Sequence, residues 1–157
     1  MNIRDYIEGE GPTNDALMRV RDGINTRLRD AIQKATLDLL AREKGEKLSG
    51  QVLNAKTGRL RRSITQRVET ESDGNIVGLV GTNVSYGRAH ELGFKGTVTV
   101  RAHRRNIKGK AVPVRAHGRN VNIPARPFLG PTLDERMPVY QRWMQDAIKE
   151  AIDGARS

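Results

Sequence analysis

Three histidines, His90, His103 and His117, are the side chains of this 157-residue sequence best suited to proton transfer or metal ligation near neutral pH. Neither chemistry finds the spacing it needs. His90-Glu91 lacks the second histidine one helical turn away that a helical zinc motif requires, so a hydrogen-bonded structural role is expected of it. His103 and His117, with Asn106 and Asn120, could suggest an endonuclease, but no carboxylate between Glu91 and Asp134 is available to hold its metal. Ser63 and Ser85 stand in contexts unlike a nucleophile elbow. The 16 glycines form no G-x-G-x-x-G or phosphate-loop run, and the absence of cysteine removes thiolate zinc sites and thiol nucleophiles. The expectation is a protein that is not an enzyme and carries no cofactor or metal.

Charge is the stronger signal. Lys and Arg outnumber Asp and Glu by 28 to 18, a formal +10 that calls for an anionic partner or an acidic neighbouring surface. The acid-free stretch after Glu91 holds nine of those cations: Lys95, Arg101, Arg104, Arg105, Lys108, Lys110, Arg115, Arg119 and Arg126. The rest is nearly neutral, 19 basic against 18 acidic. A phosphate backbone would meet such a run by counterion release, and the lack of aromatic side chains there argues against base stacking. An acidic protein surface would meet it equally well.

The elements that must present these charges follow from periodicity. Leu17, Val20, Ile24, Leu28, Ile32, Ala35 and Leu39 recur at helical steps, predicting a long helix over 13–45 capped by Thr13 or Asn14, after an N-terminal arm over 1–12. That arm is polar and acidic rather than a secretory leader, and the longest apolar stretch, near Ile76 to Val80, is too short to span a bilayer, so no membrane partner is expected. Leu48 to Asn54 reads as a short helix or a loop. Ile64–Val68 and Ile76–Val80, around Ser72-Asp73-Gly74-Asn75, predict a β-hairpin, and Tyr86–Leu92 a short helical turn stopped by Gly93.

A near-repeat follows, VRAHRRN at Val100–Asn106 and VRAHGRN at Val114–Asn120. Folding back near Ile107–Gly109 would set Val98, Val100 and Ala102 against Val112, Val114 and Ala116, with Arg101, His103, Arg115 and His117 on the other face. This predicts a projecting basic β-hairpin over 97–121, within a β-rich core over 57–130. Pro124, Pro127 and Pro131 keep PARPFLGP extended, with Phe128 and Leu129 as anchors. Thr132 and Glu135 read as a capping box for a C-terminal helix over 132–153, apolar along Leu133, Met137, Tyr140, Met144, Ala147, Ile148 and Ala151. Pro138 should kink that helix near Asp134 or open its regular part. Leu, Ile, Val and Phe total only 36 residues, enough for one single-domain core of modest size. The fold class is α+β: a small antiparallel sheet packed by the two helices.

TGRLRRSI at Thr57–Ile64, LVGT at Leu79–Thr82, YGRAHELGF at Tyr86–Phe94 and ARPFLGP at Ala125–Pro131, in this order and spacing, resemble the minor tail component family of long-tailed bacteriophages. These are neck, tail-completion and head-tail joining proteins, related in pattern to phage virion morphogenesis proteins. The resemblance covers roughly residues 45–135 and implies a non-catalytic virion protein of the tail or neck, assembled in the host cytoplasm. It implies a homo-oligomeric ring, hexameric in expectation, that joins tail to head beside head-completion, tail-terminator or tube proteins, with possible non-specific contact with genomic DNA. Its motif positions fall on Thr57, Gly58, Leu60, Gly81, Thr82, Tyr86, His90, Glu91, Gly93, Arg126, Pro127, Phe128 and Leu129. The interaction residues expected from the basic hairpin are Arg101, His103, Arg104, Arg105, Lys108, Lys110, Arg115, His117 and Arg119. The competing class, a ribosomal-type RNA- or DNA-binding protein, would spread positive charge over its body, whereas this body is near neutral.

Overall fold

The structure, a computed structural model, describes residues 10–53 and 57–155. Helix α1 spans Glu10–Gly45, 36 residues. It starts earlier than periodicity suggested, and Thr13 and Asn14 lie inside it rather than capping it. Pro12 falls in the first turn of α1, whose N–H groups have no intrahelical acceptor, so its missing N–H costs nothing there. Most of the expected N-terminal arm, residues 1–9, lies outside the described residues.

A 3-10 turn, Lys47–Ser49, leads to a short helix α2, Arg59–Ser63, and then to strands β1 (Ile64–Thr70) and β2 (Ile76–Thr82). These two pair antiparallel from Ile64 opposite Thr82 to Thr70 opposite Ile76, the hairpin the turn residues predicted. Helix α3 covers Ser85–Leu92, and Gly93 ends it at φ 76°, a left-handed conformation that favours glycine. Strands β3 (Phe94–Val100), β4 (His103–Ile107), β5 (Lys110–Val114) and β6 (His117–Ile123) follow, then helix α4, Leu129–Gly154. The class is α+β as expected, but the strands form three two-stranded ribbons rather than one sheet.

The core has two parts. Leu48, Leu53, Leu60, Ile64, Val84 and Phe128 pack as one cluster, with Leu40, Val52, Val80 and Leu129 at its edge. Ala35, Leu39 and Tyr140 form the other, between α1 and α4. Asp38 clamps that second seam. Its Oδ2 accepts hydrogen bonds from Tyr140 Oη at 2.8 Å, Arg136 Nε at 3.0 Å and Arg42 Nε at 3.2 Å. Burial would raise the Asp38 pKa, but these donors outweigh it and hold the carboxyl below its ordinary value. Burial, and then the same carboxylate, push the Tyr140 hydroxyl up to about 12.

Close approach of α1 to β2 depends on Gly78. A Cβ there would sit 2.6 Å from Thr36 Cγ2 and 2.8 Å from Ile32 Cγ2. Both neighbours are β-branched helix residues with little χ1 freedom, and the Thr36 hydroxyl is held between the Gln33 carbonyl at 2.9 Å and Gln66 Oε1 at 3.1 Å. Gly78→Ala must therefore push the helix off the hairpin, an overpacking cost of about 2 kcal/mol. Thermal unfolding should show a midpoint lowered by roughly 5 °C for a domain of this size.

Two helical expectations change. Along α1 the apolar stripe is buried only from Ala31 onward, and Leu17 and Met18 are 61% and 54% exposed. The C-terminal end of α4 reaches α1 at Arg27, whose Nη1 bonds Glu150 Oε2 at 2.9 Å, so the turns before it run past the end of α4. In α4, Thr132 forms no capping box. It lies inside the helix, its hydroxyl donating to the Phe128 carbonyl at 2.8 Å, and it is buried where Leu133 is exposed. The helix continues through Pro138 without interruption, rather than beginning there.

The basic segment spans more than 97–121. β3 pairs with β6 from Phe94 opposite Ile123 to Val100 opposite His117, and β4 with β5 from His103 opposite Val114 to Ile107 opposite Lys110. One register runs through both ribbons. Lys108 and Gly109 make the turn at φ 50° and 81°, the two positive values of a type I′ hairpin. A two-residue turn fixes a register that sets odd residues against even ones, so the expected matching of apolar with apolar positions does not occur. Val98 faces Arg119, Val100 faces His117, Arg105 faces Val112, and His103 faces Val114.

Candidate functional site

The near-repeat has a structural meaning. Where VRAH of one strand meets VRAH of the other, Val100 faces His117 and His103 faces Val114, so the motif pairs with itself about a local pseudo-dyad. At Arg101-Ala102 and Arg115-Ala116 the ladder is interrupted on both strands together. Each histidine braces the gap in the same way: Nδ1 of His103 lies 3.0 Å from the Arg101 carbonyl, and Nδ1 of His117 lies 2.9 Å from the Arg115 carbonyl. His103 and His117 thus shape the backbone at opposite ends of the break. Among the described residues no group of three His, Asp or Glu side chains could hold a metal ion.

Arg101, His103, Arg104, Arg105, Lys108, Lys110, Arg115, His117 and Arg119 are all exposed. None of the ion pairs among the described residues involves them. They do not share one face. On β3 and β6, Arg119 and His117 stand with Val98 and Val100, while on β4 and β5, His103 and Arg105 stand with Val112 and Val114.

The other candidate residues meet at one corner of the body. Ser63 Oγ donates to the Leu60 carbonyl at 2.8 Å, Thr82 Oγ1 lies 2.6 Å from Ser63 Oγ, and the Val84 N–H donates to Thr82 Oγ1 at 3.1 Å, which joins α2 to the end of β2. Gly87 lets α3 close on that joint, since a Cβ there would lie 2.7 Å from Thr82 Cγ2. Gly58, at φ 66°, turns the chain into α2, and Leu60 is buried. Gly81 is half-buried within β2.

Glu91 makes the decisive link. Its Oε2 accepts the backbone N–H groups of Phe128 at 2.8 Å and Leu129 at 3.1 Å, and its Oε1 that of Gly130 at 2.8 Å. A carboxylate from α3 thereby caps the N-terminus of α4, which has no side-chain cap of its own. Beside it the Arg126 N–H donates to the His90 carbonyl at 2.7 Å. Phe128 is buried at the centre of the first cluster, Leu129 lies half-buried at its edge, and Pro127 is exposed.

This corner borders a cleft of about 530 Å³. Leu48, Val52, Leu53 and Leu60 line its apolar side, and Thr57, Gly58, Arg59, Arg61, Tyr86, His90 and Arg126 complete it. Tyr86 stands edge-on to His90, ring centroids 5.9 Å apart. Behind the corner, Glu43 is fully buried, and neither carboxylate oxygen has a hydrogen-bond partner among the described residues. Its pKa is pushed up to about 7, chiefly by burial, with the Glu91 charge adding to the rise. The nearby Thr132 hydroxyl gives its proton to the Phe128 carbonyl rather than to this carboxylate.

Glu43, Asp38 and the cleft arginines Arg59 and Arg61 were not among the residues expected to matter. The signal for Glu43 was present: it falls four residues after Leu39, continuing the buried stripe of α1 where a carboxylate has no business unless something unusual surrounds it.

The chain is an α+β body locked at one corner by sequence-distant motifs, and its exposed basic ribbon takes part in none of the ion pairs among the described residues. The chain belongs to the phage virion morphogenesis family, whose family model matches residues 31–148. That match begins where α1 becomes buried and ends near the close of α4. It makes the protein a structural, morphogenetic component of bacteriophage virions. Comparisons with curated proteins and with solved structures give no match.

Proposed function

We propose that the protein is a non-catalytic neck or tail-completion component that assembles as a homo-oligomeric ring, hexameric in our reading, at the head-tail junction and joins tail to head. The ribbon from β3 to β6 extends from the body and places its cations against an acidic surface of an adjacent subunit or adjoining ring. The observation that carries this reading is the ribbon itself, acid-free, its cations exposed and without an ion pair to any described carboxylate of its own chain. One-signed charge at this density repels itself until an anionic surface meets it. The thin core and the exposed Leu17 and Met18 of α1 support the same conclusion, since both gain cover from a neighbour.

The test is mass measurement in solution, alone and with neighbouring neck and tail proteins, for the parent and for a variant with Arg101, Arg104, Arg105, Arg115 and Arg119 changed to Ser. The variant should fold as the parent does, because these side chains are exposed. Its association with partners should weaken at least tenfold, and the salt dependence of binding should flatten. Equal affinity of parent and variant would refute electrostatic docking. Tight, salt-sensitive binding of structured RNA in place of protein partners would favour the nucleic-acid-binding class.

A further inference from the structure

The cleft beside the motif corner is built to receive a short apolar segment carrying negative charge. Leu48, Leu53 and Leu60 form its floor, and Arg59, Arg61 and Arg126 stand exposed around it. None of the ion pairs among the described residues involves these three arginines. Its volume of about 530 Å³ falls in the range of clefts that hold a ligand, roughly 300–1,000 Å³.

A segment with the complementary chemistry lies in this chain, outside the described residues. Ile3, Tyr6 and Ile7 recur at three- and four-residue spacing, with Asp5 and Glu8 beside them and Arg4 the one cation. Reach decides which copy it can serve. Leu40, near the far end of α1, packs on the cluster that floors the cleft, and it stands about 45 Å from Glu10 along the helix at 1.5 Å per residue. Ile3 is seven residues before Glu10 and, fully extended, cannot lie more than about 25 Å from it. The segment therefore falls about 20 Å short of its own cleft. A second copy has no such restriction, and the first described turns of α1, with Leu17 and Met18 exposed, lie outside the family match.

We infer that residues 3–8 of one subunit dock in the Leu48–Leu53–Leu60 cleft of the next, with Ile3, Tyr6 and Ile7 on its apolar floor and Asp5 and Glu8 beside Arg59, Arg61 and Arg126. Such a contact is head-to-tail, so it closes into a ring or propagates as a filament. The inference rests on the homo-oligomeric part of the proposed function and names the contact that would build it.

The native chain has no cysteine, so a cross-link can be assigned without ambiguity. Mixing a chain carrying Ile7→Cys with one carrying Arg61→Cys should give a disulfide between the two different chains. Glu69→Cys, exposed on the β1–β2 hairpin, should give none with the same partner. Changing Ile3, Tyr6 and Ile7 together to Ser alters no described residue and should weaken self-association at least tenfold. Asp5→Lys with Glu8→Lys should weaken it as well, and adding Arg61→Glu with Arg126→Glu should restore it. An oligomer whose mass survives the triple Ser change overturns this contact and leaves the ring intact. A parent that stays monomeric at all concentrations and gives no cross-link overturns both.

Discussion

Glu91→Ala should lower stability by about 4 kcal/mol, the largest single-residue effect expected on the motif corner. Three backbone N–H groups, those of Phe128, Leu129 and Gly130, lose their acceptor together. Hydrogen bonds to a charged group are worth about 1.5–3 kcal/mol each, and a lost helix cap typically costs about 1 kcal/mol, so the three losses overlap rather than add in full. The consequence is structural as well. Phe128 sits at the centre of the larger core cluster, and the cap fixes where α4 starts relative to it. For a domain of this length the thermal midpoint should fall by about 10 °C. Glu91→Gln keeps one carbonyl acceptor and should cost about half as much. Glu91→Asp, one methylene shorter, should behave closer to Ala, because the reach from α3 is lost. Midpoints of all three variants within a degree or two of the parent would show that α4 finds its cap elsewhere.

Much of the fold was legible in the sequence, and what escaped it has identifiable physical causes. Period-2 runs around Asp73-Gly74 located β1 and β2, and Gly93 marked the stop of α3, because turns and helix ends leave local chemistry. The start of α4 was misplaced because its cap is not local. Thr132 and Glu135 have the spacing of a capping box, yet a carboxylate 37–39 residues upstream occupies the three N–H groups. Ribbon pairing was misjudged for a different reason. Alternation within each VRAH copy is regular, but register is set by the turn, and Lys108-Gly109 selects the odd-on-even pairing. Of the motif residues, the convergence of Thr57, Gly58, Leu60, Tyr86, His90 and Arg126 on one cleft was not legible, since it depends on α2, α3 and the segment before α4 meeting through contacts distant in sequence, and the ribbon cations stand apart from that cleft.

Stability should fall between about pH 4.5 and pH 7 and then level off, and Glu43 is the reason. With its pKa pushed up to about 7, the folded protein retains a proton on Glu43 through that window, while the unfolded chain, near the ordinary 4.5, has already released it. A folded state that holds the extra proton loses stability as pH rises, at about 1.4 kcal/mol per unit, for a total of roughly 3 kcal/mol by neutrality. Above pH 7 both states are ionised and the loss is complete. Glu43→Gln has no proton to release, so it should match the parent near pH 5 and exceed it by roughly 3 kcal/mol at pH 8, read as urea midpoints across pH. After burial, the Glu91 charge also contributes to holding Glu43 protonated. In Glu91→Gln the pH-dependent fall should therefore end at a lower pH than in the parent, on top of the lost cap. A parent whose stability rises or stays flat from pH 5 to 7, with Glu43→Gln following the same curve, would place the Glu43 carboxylate among donors or solvent that the buried geometry denies it.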